Sequence, residues 1–489
     1  MSSIGRMRGF IASSIGVTCA IALTFPLTLP SGAQAAPRGT DTAPPGPRPG
    51  APAADPAPLS GSTRSLPLTD RPTTRSLAPG AQERSLVVRN VRPFSLLGVV
   101  WDDVRTVLDG AVQVRTRATG TGTWSGWRSV HAHADAHGHD HAADPGSSEA
   151  RSGRVRGATA PLWVGDSDGV EVRVTGRSPR NAHRPAPLPE GLRLELVDPG
   201  PEPAPDRTTG ARAVPVTRAV PGAATAPASV SASATASAGR RAAASADVPG
   251  AYEVPDVPEL GDLAQLSDLS DLSDPLGIDQ ARAPAAGPHT APRPKIVSRK
   301  KWGADESLRE SGFGYTNSVK AAFVHHSFTG NNYRCSQAPS VIRGIYRYHV
   351  VSSGWRDIGY NFLVDKCGTV YEGRAGGVSK AVLGAHTLGF NTNTTGIAVL
   401  GSYGSTTPPA AVVKGIAKVA AWKLGLYGVN PKAKTYLTSG GGNLYRKGEK
   451  VRLQVISGHR DGFATECPGA RLYGKLGTAR SSAARLQGR

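Results

Sequence analysis

His459 and Cys467 stand eight residues apart in the stretch Gly458-His459-Arg460-Asp461-Gly462-Phe463-Ala464-Thr465-Glu466-Cys467-Pro468-Gly469, and a second pair, His325-His326, ends an apolar run upstream. Two imidazoles and one thiolate are a three-ligand set for Zn²⁺, leaving a fourth tetrahedral position for a hydrolytic water. The spacing is not one of the tight zinc-finger patterns, so the pair alone does not fix the chemistry. The elements that must bring these side chains together, and the compartment they work in, decide it.

Arg6 and Arg8 precede the apolar run from Gly9 to Leu29, and Ala33-Gln34-Ala35 follows as a small-x-small cleavage site. This reads as a signal peptide over residues 1–35, cut after Ala35. A membrane anchor is the alternative, but Pro26, Pro30 and the cleavage site fit removal better. No later segment is long and apolar enough to span a bilayer, so the mature chain is expected outside the cell, associated with a cell wall, without a membrane span and as a monomer. Removal of the leader takes Cys19 and leaves Cys335, Cys367 and Cys467. Cys335 lies in a polar loop before a helical run, and Cys367 in a turn between two strand-like runs. Two loop cysteines suit a staple, which pairs Cys335 with Cys367 and keeps Cys467 for a metal.

Residues 36–84 are Pro- and Ala-rich, a composition expected to stay disordered. Short strand-like runs then follow over 85–200, among them Phe94–Trp101, Val170-Glu-Val-Arg-Val174 and Leu192–Val197, with the apolar–polar alternation of half-buried strands. They predict a small all-β, sandwich-like domain. A His-rich tract interrupts it (His131, His133, His137, His139, His141), read as a loop outside the catalytic set. Residues 201–293 form an Ala/Ser/Pro-rich linker with an acidic repeat. From 294 to 489 apolar strand-like runs (Lys320–His325, Tyr360–Asp365, Thr369–Glu372, Gly396–Leu400, Val451–Ser457) alternate with helical patterns at Pro339–Val351 and Thr407–Leu426. Thr407 is expected to cap the second helix, with Pro408 and Pro409 in its first turn. Such alternation predicts an α/β domain, a central mixed sheet flanked by helices.

Charge is divided unevenly. Residues 294–489 hold 28 Lys and Arg against 9 Asp and Glu, a net of +19, whereas the remainder is close to neutral. A basic secreted domain points to anionic cell-wall polymers. A nucleic-acid partner lacks any motif or aromatic–basic interleaving to support it.

Taken together, Val297-Ser-Arg-Lys-Lys-Trp302, Phe323-Val-His325-His326-Ser, Tyr348-His349, Asp357-Ile-Gly-Tyr360-Asn-Phe, Val370-Tyr-Glu-Gly-Arg374, Gly384-Ala-His386, Gly396–Gly401 and Gly458-His459-Arg460 to Cys467-Pro468-Gly469 resemble the peptidoglycan recognition proteins. These are kin to the zinc-dependent N-acetylmuramoyl-L-alanine amidases of bacteria and phages. The resemblance covers 294 to about 475, with every block in family order. It implies Zn²⁺ held by His325, His459 and Cys467, with the first histidine of the pair ligating and His326 left to line the groove. It implies catalytic roles for Tyr360 and Thr465, the Tyr360 hydroxyl serving the developing oxyanion or the water. It implies contacts to the muramyl peptide for His326, His349, His386 and Asn391, although each of these could equally satisfy a loop or core.

The resemblance therefore implies a secreted hydrolase that cuts the amide between the lactyl group of N-acetylmuramic acid and L-alanine in peptidoglycan. The alternative is a non-catalytic peptidoglycan-binding protein whose zinc is structural. The Gly-rich segment Lys432–Arg452 is either a flap near the site or a surface loop.

Overall fold

The computed structural model describes residues 61–70, 83–131, 154–176, 187–202 and 287–489. The expected leader, the Pro-rich segment before residue 61, most of the linker and the His-rich tract beyond His131 lie outside these residues. Ala57–Arg489 form one compact unit. None of its described helices is long and apolar enough to cross a membrane.

The basic half is built on a six-stranded mixed sheet, in the order β16-β10-β13-β11-β12-β9. These are β9 (Ile296–Val297), β10 (Ala321–His326), β11 (Phe362–Val364), β12 (Val370–Glu372), β13 (Thr394–Val399) and β16 (Ile456–Gly458). Only the β11–β12 hairpin is antiparallel. In β10, β11 and β13 every residue is buried, because both faces of the sheet are covered. On one face, Ala322, Val324, Ile397 and Val399 pack under helix α3 (Ala410–Gly425) and the C-terminal helix α5 (Leu476–Leu486). On the other, Leu363, Ala398 and Leu400 meet Val341, Ile342 and Ile345 of helix α2 (Ala338–Arg347). Helix α1 (Arg299–Trp302) is a single turn, and α4 (Ala470–Tyr473) precedes α5.

The mixed sheet with flanking helices agrees with the sequence, and several boundaries differ. Helix α3 begins at Ala410 with Pro409 at its N-cap, so Thr407 makes no cap and the prolines precede the helix. The single strand expected over Val451–Ser457 is broken at Val455. Its first half, β15 (Lys450–Gln454), pairs with β14 (Lys434–Thr438) in a separate hairpin, and only β16 joins the main sheet. That hairpin is the Gly-rich segment, and its apolar side chains Leu437, Val451 and Leu453 cover Ala321, Phe323 and Phe390. Helix α2 runs into a π-helical turn, Tyr348–Ser352.

The β-rich half is an eight-stranded antiparallel sheet, ordered β1-β8-β3-β7-β4-β5 with β2 and β6 on β3. Its strands are β1 (Ser62–Pro67), β2 (Thr69–Asp70), β3 (Glu83–Trp101), β4 (Gly110–Ala118), β5 (Arg128–Val130), β6 (Gly157–Ala158), β7 (Leu162–Gly176) and β8 (Arg193–Asp198). β1 and β2 fall within 36–84, where disorder was expected. Thr63–Leu66 of β1 pair with Leu194–Val197 of β8, so the domain starts near Gly61 rather than at 85. The signal was weak because β1 is an edge strand with mostly exposed side chains.

The two folds share a core. Leu96, Val100, Ala158, Trp163 and Val197 belong to the same apolar cluster as helix α2. The fully buried Tyr348 donates its hydroxyl to Thr159 O at 3.1 Å. Arg343 donates to Pro199 O at 3.0 Å, and Ser352 Oγ to Glu195 Oε2 at 3.0 Å. A Cβ on Gly98 would stand 2.3 Å from the Tyr348 oxygen, so only glycine lets the ring seat there.

Candidate metal centre

β10 alternates its side chains between the two sheet faces. Ala322 and Val324 go under α3 and α5, so Phe323 and His325 must emerge on the opposite side. That parity separates the two neighbouring histidines. His325 meets His459, ring centroids 4.6 Å apart, from the turn that follows β16. β16 pairs in parallel with β10 (Val324 opposite Gly458), which sets His459 beside His325. Cys467 closes the set with its Sγ 3.8 Å from His325 Nδ1. One ligand atom from each of the three lies within 4.8 Å of the others, and all three residues are buried. Ligands about 2.0 and 2.3 Å from one tetrahedral zinc stand about 3.5 Å apart, so the Sγ–Nδ1 separation fits a shared ion after a small adjustment. Two imidazoles and a soft thiolate, with no carboxylate in the set, suit zinc better than magnesium or calcium.

His326 points elsewhere. Its Nδ1 accepts the Tyr403 backbone N–H at 3.1 Å and its ring lies 3.7 Å from that of Phe328. The backbone N–H of His326 reaches Cys467 Sγ at 3.4 Å, so this residue supports the sulfur through its main chain. Tyr360 stands at the centre, its ring 5.5 Å from His325 and 5.9 Å from His349. Thr465 Oγ1 accepts the Cys467 backbone N–H at 3.1 Å, holding the turn that carries the thiol.

The four residues that the resemblance sets against substrate, His326, His349, His386 and Asn391, are all buried. His386 is fully buried behind His325, with Thr387 Oγ1 at 3.1 Å from Nδ1 and Thr394 Oγ1 at 3.3 Å from Nε2. Burial first, then the neighbouring His459 and Arg374, hold its pKa well below the usual imidazole value. Asn391 Oδ1 accepts the backbone N–H groups of His386 (2.7 Å) and Thr387 (2.9 Å), which organises that loop. His349, in the π-helical turn, accepts the Gly359 N–H at Nδ1 (3.2 Å) and lies on Trp355.

Several supporting residues carry no sequence signature. Asn443, at the tip of the β14–β15 hairpin, donates to Ala464 O at 3.3 Å and accepts the Ala464 N–H at 2.8 Å. This reciprocal pair ties the Gly-rich segment to the loop between His459 and Cys467, so the segment lies beside the candidate site. Asp461 accepts the Gly458 N–H at 2.8 Å and the Tyr473 hydroxyl at 2.6 Å. Ala160 of the β-rich half shares a small apolar cluster with Phe328 and Cys467, and the His131 ring lies 4.4 Å from that of Phe328. The β-rich half thus reaches the rim of the centre. The expected staple is present: Cys335 is bonded to Cys367, and among the described residues Cys467 is the cysteine outside a disulfide.

Comparison with known proteins agrees with this arrangement. Residues 315–470 match the N-acetylmuramoyl-L-alanine amidase family, and residues 52–210 match the Rv3811 N-terminal galactose-binding domain-like family. Peptidoglycan-recognition protein SC2 of Drosophila melanogaster is 31% identical over 185 residues, 37% of this chain and 85% of that protein. Peptidoglycan-recognition protein SC1a of the same organism is 32% identical over 181 residues, 37% of this chain and 83% of that protein. The solved structure of Drosophila PGRP-LB aligns over 38% of this chain and 93% of its own, at 25% identity and a TM-score of 0.30. With most of the length of the SC2 and SC1a proteins matched at this identity, the chain belongs to the peptidoglycan-recognition protein and N-acetylmuramoyl-L-alanine amidase family.

Proposed function

We propose that this chain is a secreted zinc-dependent amidase that hydrolyses the bond between the lactyl group of N-acetylmuramic acid and the L-alanine of peptidoglycan stem peptides. The observation that carries the reading is the convergence of His325, His459 and Cys467 within 4.8 Å, with Tyr360 beside them. Zinc held by these three residues would supply a Lewis acid for the scissile carbonyl and activate a water at neutral pH. The chain's own groups do the rest. The Tyr360 hydroxyl donates to the oxygen on which negative charge develops. Thr465 fixes the Cys467 backbone, so the sulfur holds its direction. His386, kept neutral by burial, packs at 5.3 Å against His325 and orients it without adding charge. The peptidoglycan substrate is inferred from the names of the SC2 and SC1a relatives, and secretion from the leader over residues 1–35.

One observation favours the second reading, a peptidoglycan-binding protein with structural zinc. The three ligand residues each have 0% exposure, and structural zinc sites are closed whereas catalytic ones keep an open position. Product analysis separates the two. The full chain is incubated with soluble muropeptides, with and without chelator, and the products are identified by mass. The amidase reading requires free stem peptides beginning at L-alanine and intact lactyl-bearing sugars, both abolished by chelator. Bound but uncut muropeptide at saturating zinc would establish the second reading.

A further inference from the structure

The outer face of the β-rich sheet carries a lattice of arginine and tryptophan that the amidase chemistry does not use. Register places Val87, Glu171 and Arg115 in one cross-strand row over β3, β7 and β4. Trp127 continues that row, one residue before β5, where Arg128 pairs with Val114. The next row is Ser85, Arg173, Gln113 and Ser129. The opposite face buries Val112, Val114, Val172 and Val174, so strand alternation forces these polar and aromatic residues outward. The Arg115 guanidinium stands 5.3 Å from the Trp124 ring and 5.2 Å from the Trp127 ring, and that of Arg173 stands 4.2 Å from Trp127. Trp127 is 39% exposed and Val87 59%.

Stacking and hydrogen bonds hold these guanidinium groups in place before any ligand arrives. Arg115 bonds Glu171, with Nε at 2.7 Å, and Arg117 bonds Asp168 at 2.7 Å. Arg173 donates Nε to the neutral Gln113 amide at 2.8 Å, so its positive charge is not cancelled within the row. Arg89, farther along β3, is exposed. The face is therefore partly apolar and modestly cationic. A duplex nucleic acid rewards many phosphate contacts, and a sheet whose arginines are half neutralised offers few. Sugar rings with scattered carboxylates match it better. Their C–H faces lie on an exposed indole, and the carboxylates accept from the remaining guanidinium N–H groups.

We propose that this face is a docking surface for peptidoglycan strands, holding the polymer while the metal centre acts on it. The substrate class rests on the amidase reading above. Val87, Glu171 and Arg115 lie toward one end of β3 and β7, whereas Leu96, Val100 and Trp163, toward the other, pack on helix α2. A docked strand consequently leaves the shared core intact.

The test uses the metal-stripped full chain, so that the polymer survives, and measures co-sedimentation with purified sacculi freed of attached anionic polymers. Trp127→Ala removes the platform. Val87→Glu adds a negative charge to the same row without deleting any contact of the lattice, and decides the matter alone should Trp127→Ala fail to fold. Each is expected to weaken sacculus binding about tenfold or more, while the zinc-loaded variants cut soluble muropeptides within about twofold of the parent. Sedimentation of both variants equal to the parent would overturn the proposal. So would parent binding that disappears when the anionic polymers are stripped, or equal competition by duplex DNA. Face-dependent binding by a protein that leaves muropeptides uncut would instead sink the amidase reading and leave the docking surface standing.

Discussion

Removing one hydroxyl separates the two roles open to Tyr360. Tyr360→Phe keeps the ring against His325. If the hydroxyl stabilises the transition state, kcat falls by about 10²-fold or more with zinc content unchanged; unchanged turnover would reduce Tyr360 to packing. Asn443 acts one step farther out. Asn443→Ala frees Ala464 between two ligands and should weaken zinc binding, by less than the about 10- to 100-fold seen for groups bonded to a ligand itself. Zinc competition with a chromophoric chelator should show that loss, and an unchanged affinity would make the Asn443 clasp incidental. Residue types alone pointed to imidazole and thiolate, but not to which histidine of the pair faces Cys467. Strand parity decides that, through the burial of Ala322 and Val324 on the other face. For a related reason the sequence left open whether His386 and Asn391 line a groove or hold a loop. A buried structural histidine and a groove histidine look alike until their neighbours are known.

At the level of elements, the disulfide ties the polar loop that follows β10 to the turn between β11 and β12, closing a sequence separation of 32. Replacing Cys335 and Cys367 together by Ser should lower stability by about 3–4 kcal/mol, measured by denaturant titration under oxidising conditions; a loss below about 1 kcal/mol would mean that the loops are held by other contacts. Helix α3 carries a buried lysine. Lys423 Nζ donates to Val378 O at 2.6 Å and also to Lys380 O, yet burial pushes its pKa down to about 7 from the usual 10.5. Between those values the unfolded chain binds more protons than the folded one, so stability rises with pH. The gain is complete above about 10.5 and is lost as pH falls toward 7. Lys423→Met should remove most of that slope over pH 7–9.5, as thermal unfolding at several pH values would reveal. An identical slope in the variant would show that the two carbonyls keep the amine charged. The helical runs were legible because α2 has a regular apolar stripe. The β14–β15 hairpin was not, since half of its side chains face solvent and β15 read as one continuous run with β16.

For the whole molecule, the shared core is what the sequence could not announce. Each half has its own strand or helix pattern, but nothing in Leu96 or Tyr348 says that they meet. Composition pointed to two domains joined by a linker; burial of Tyr348 against Val99 and Thr159 makes them one folding unit. Gly98→Val should therefore destabilise both halves together, giving one unfolding transition at lower temperature by calorimetry. Two separable transitions, with the sheet around β10 unaffected, would refute the coupling. Truncation to residues 287–489 would bare helix α2, so tests of activity belong on the full chain. If the chain binds cell walls as proposed, the excess of 19 positive charges over 294–489 should make that binding salt-sensitive, with screening over about 3 Å near 1 M salt.

The central claim, that one zinc held by His325, His459 and Cys467 drives amide hydrolysis, is tested most directly by titrating zinc into the metal-stripped full chain while following stem-peptide release. The full chain carries the whole His-rich tract, so Cys467→Ala is titrated in parallel. Release should rise linearly to about one tightly bound equivalent and then stay flat, with no release from Cys467→Ala at any zinc level. Full release from the metal-stripped protein, or from Cys467→Ala, would contradict the claim.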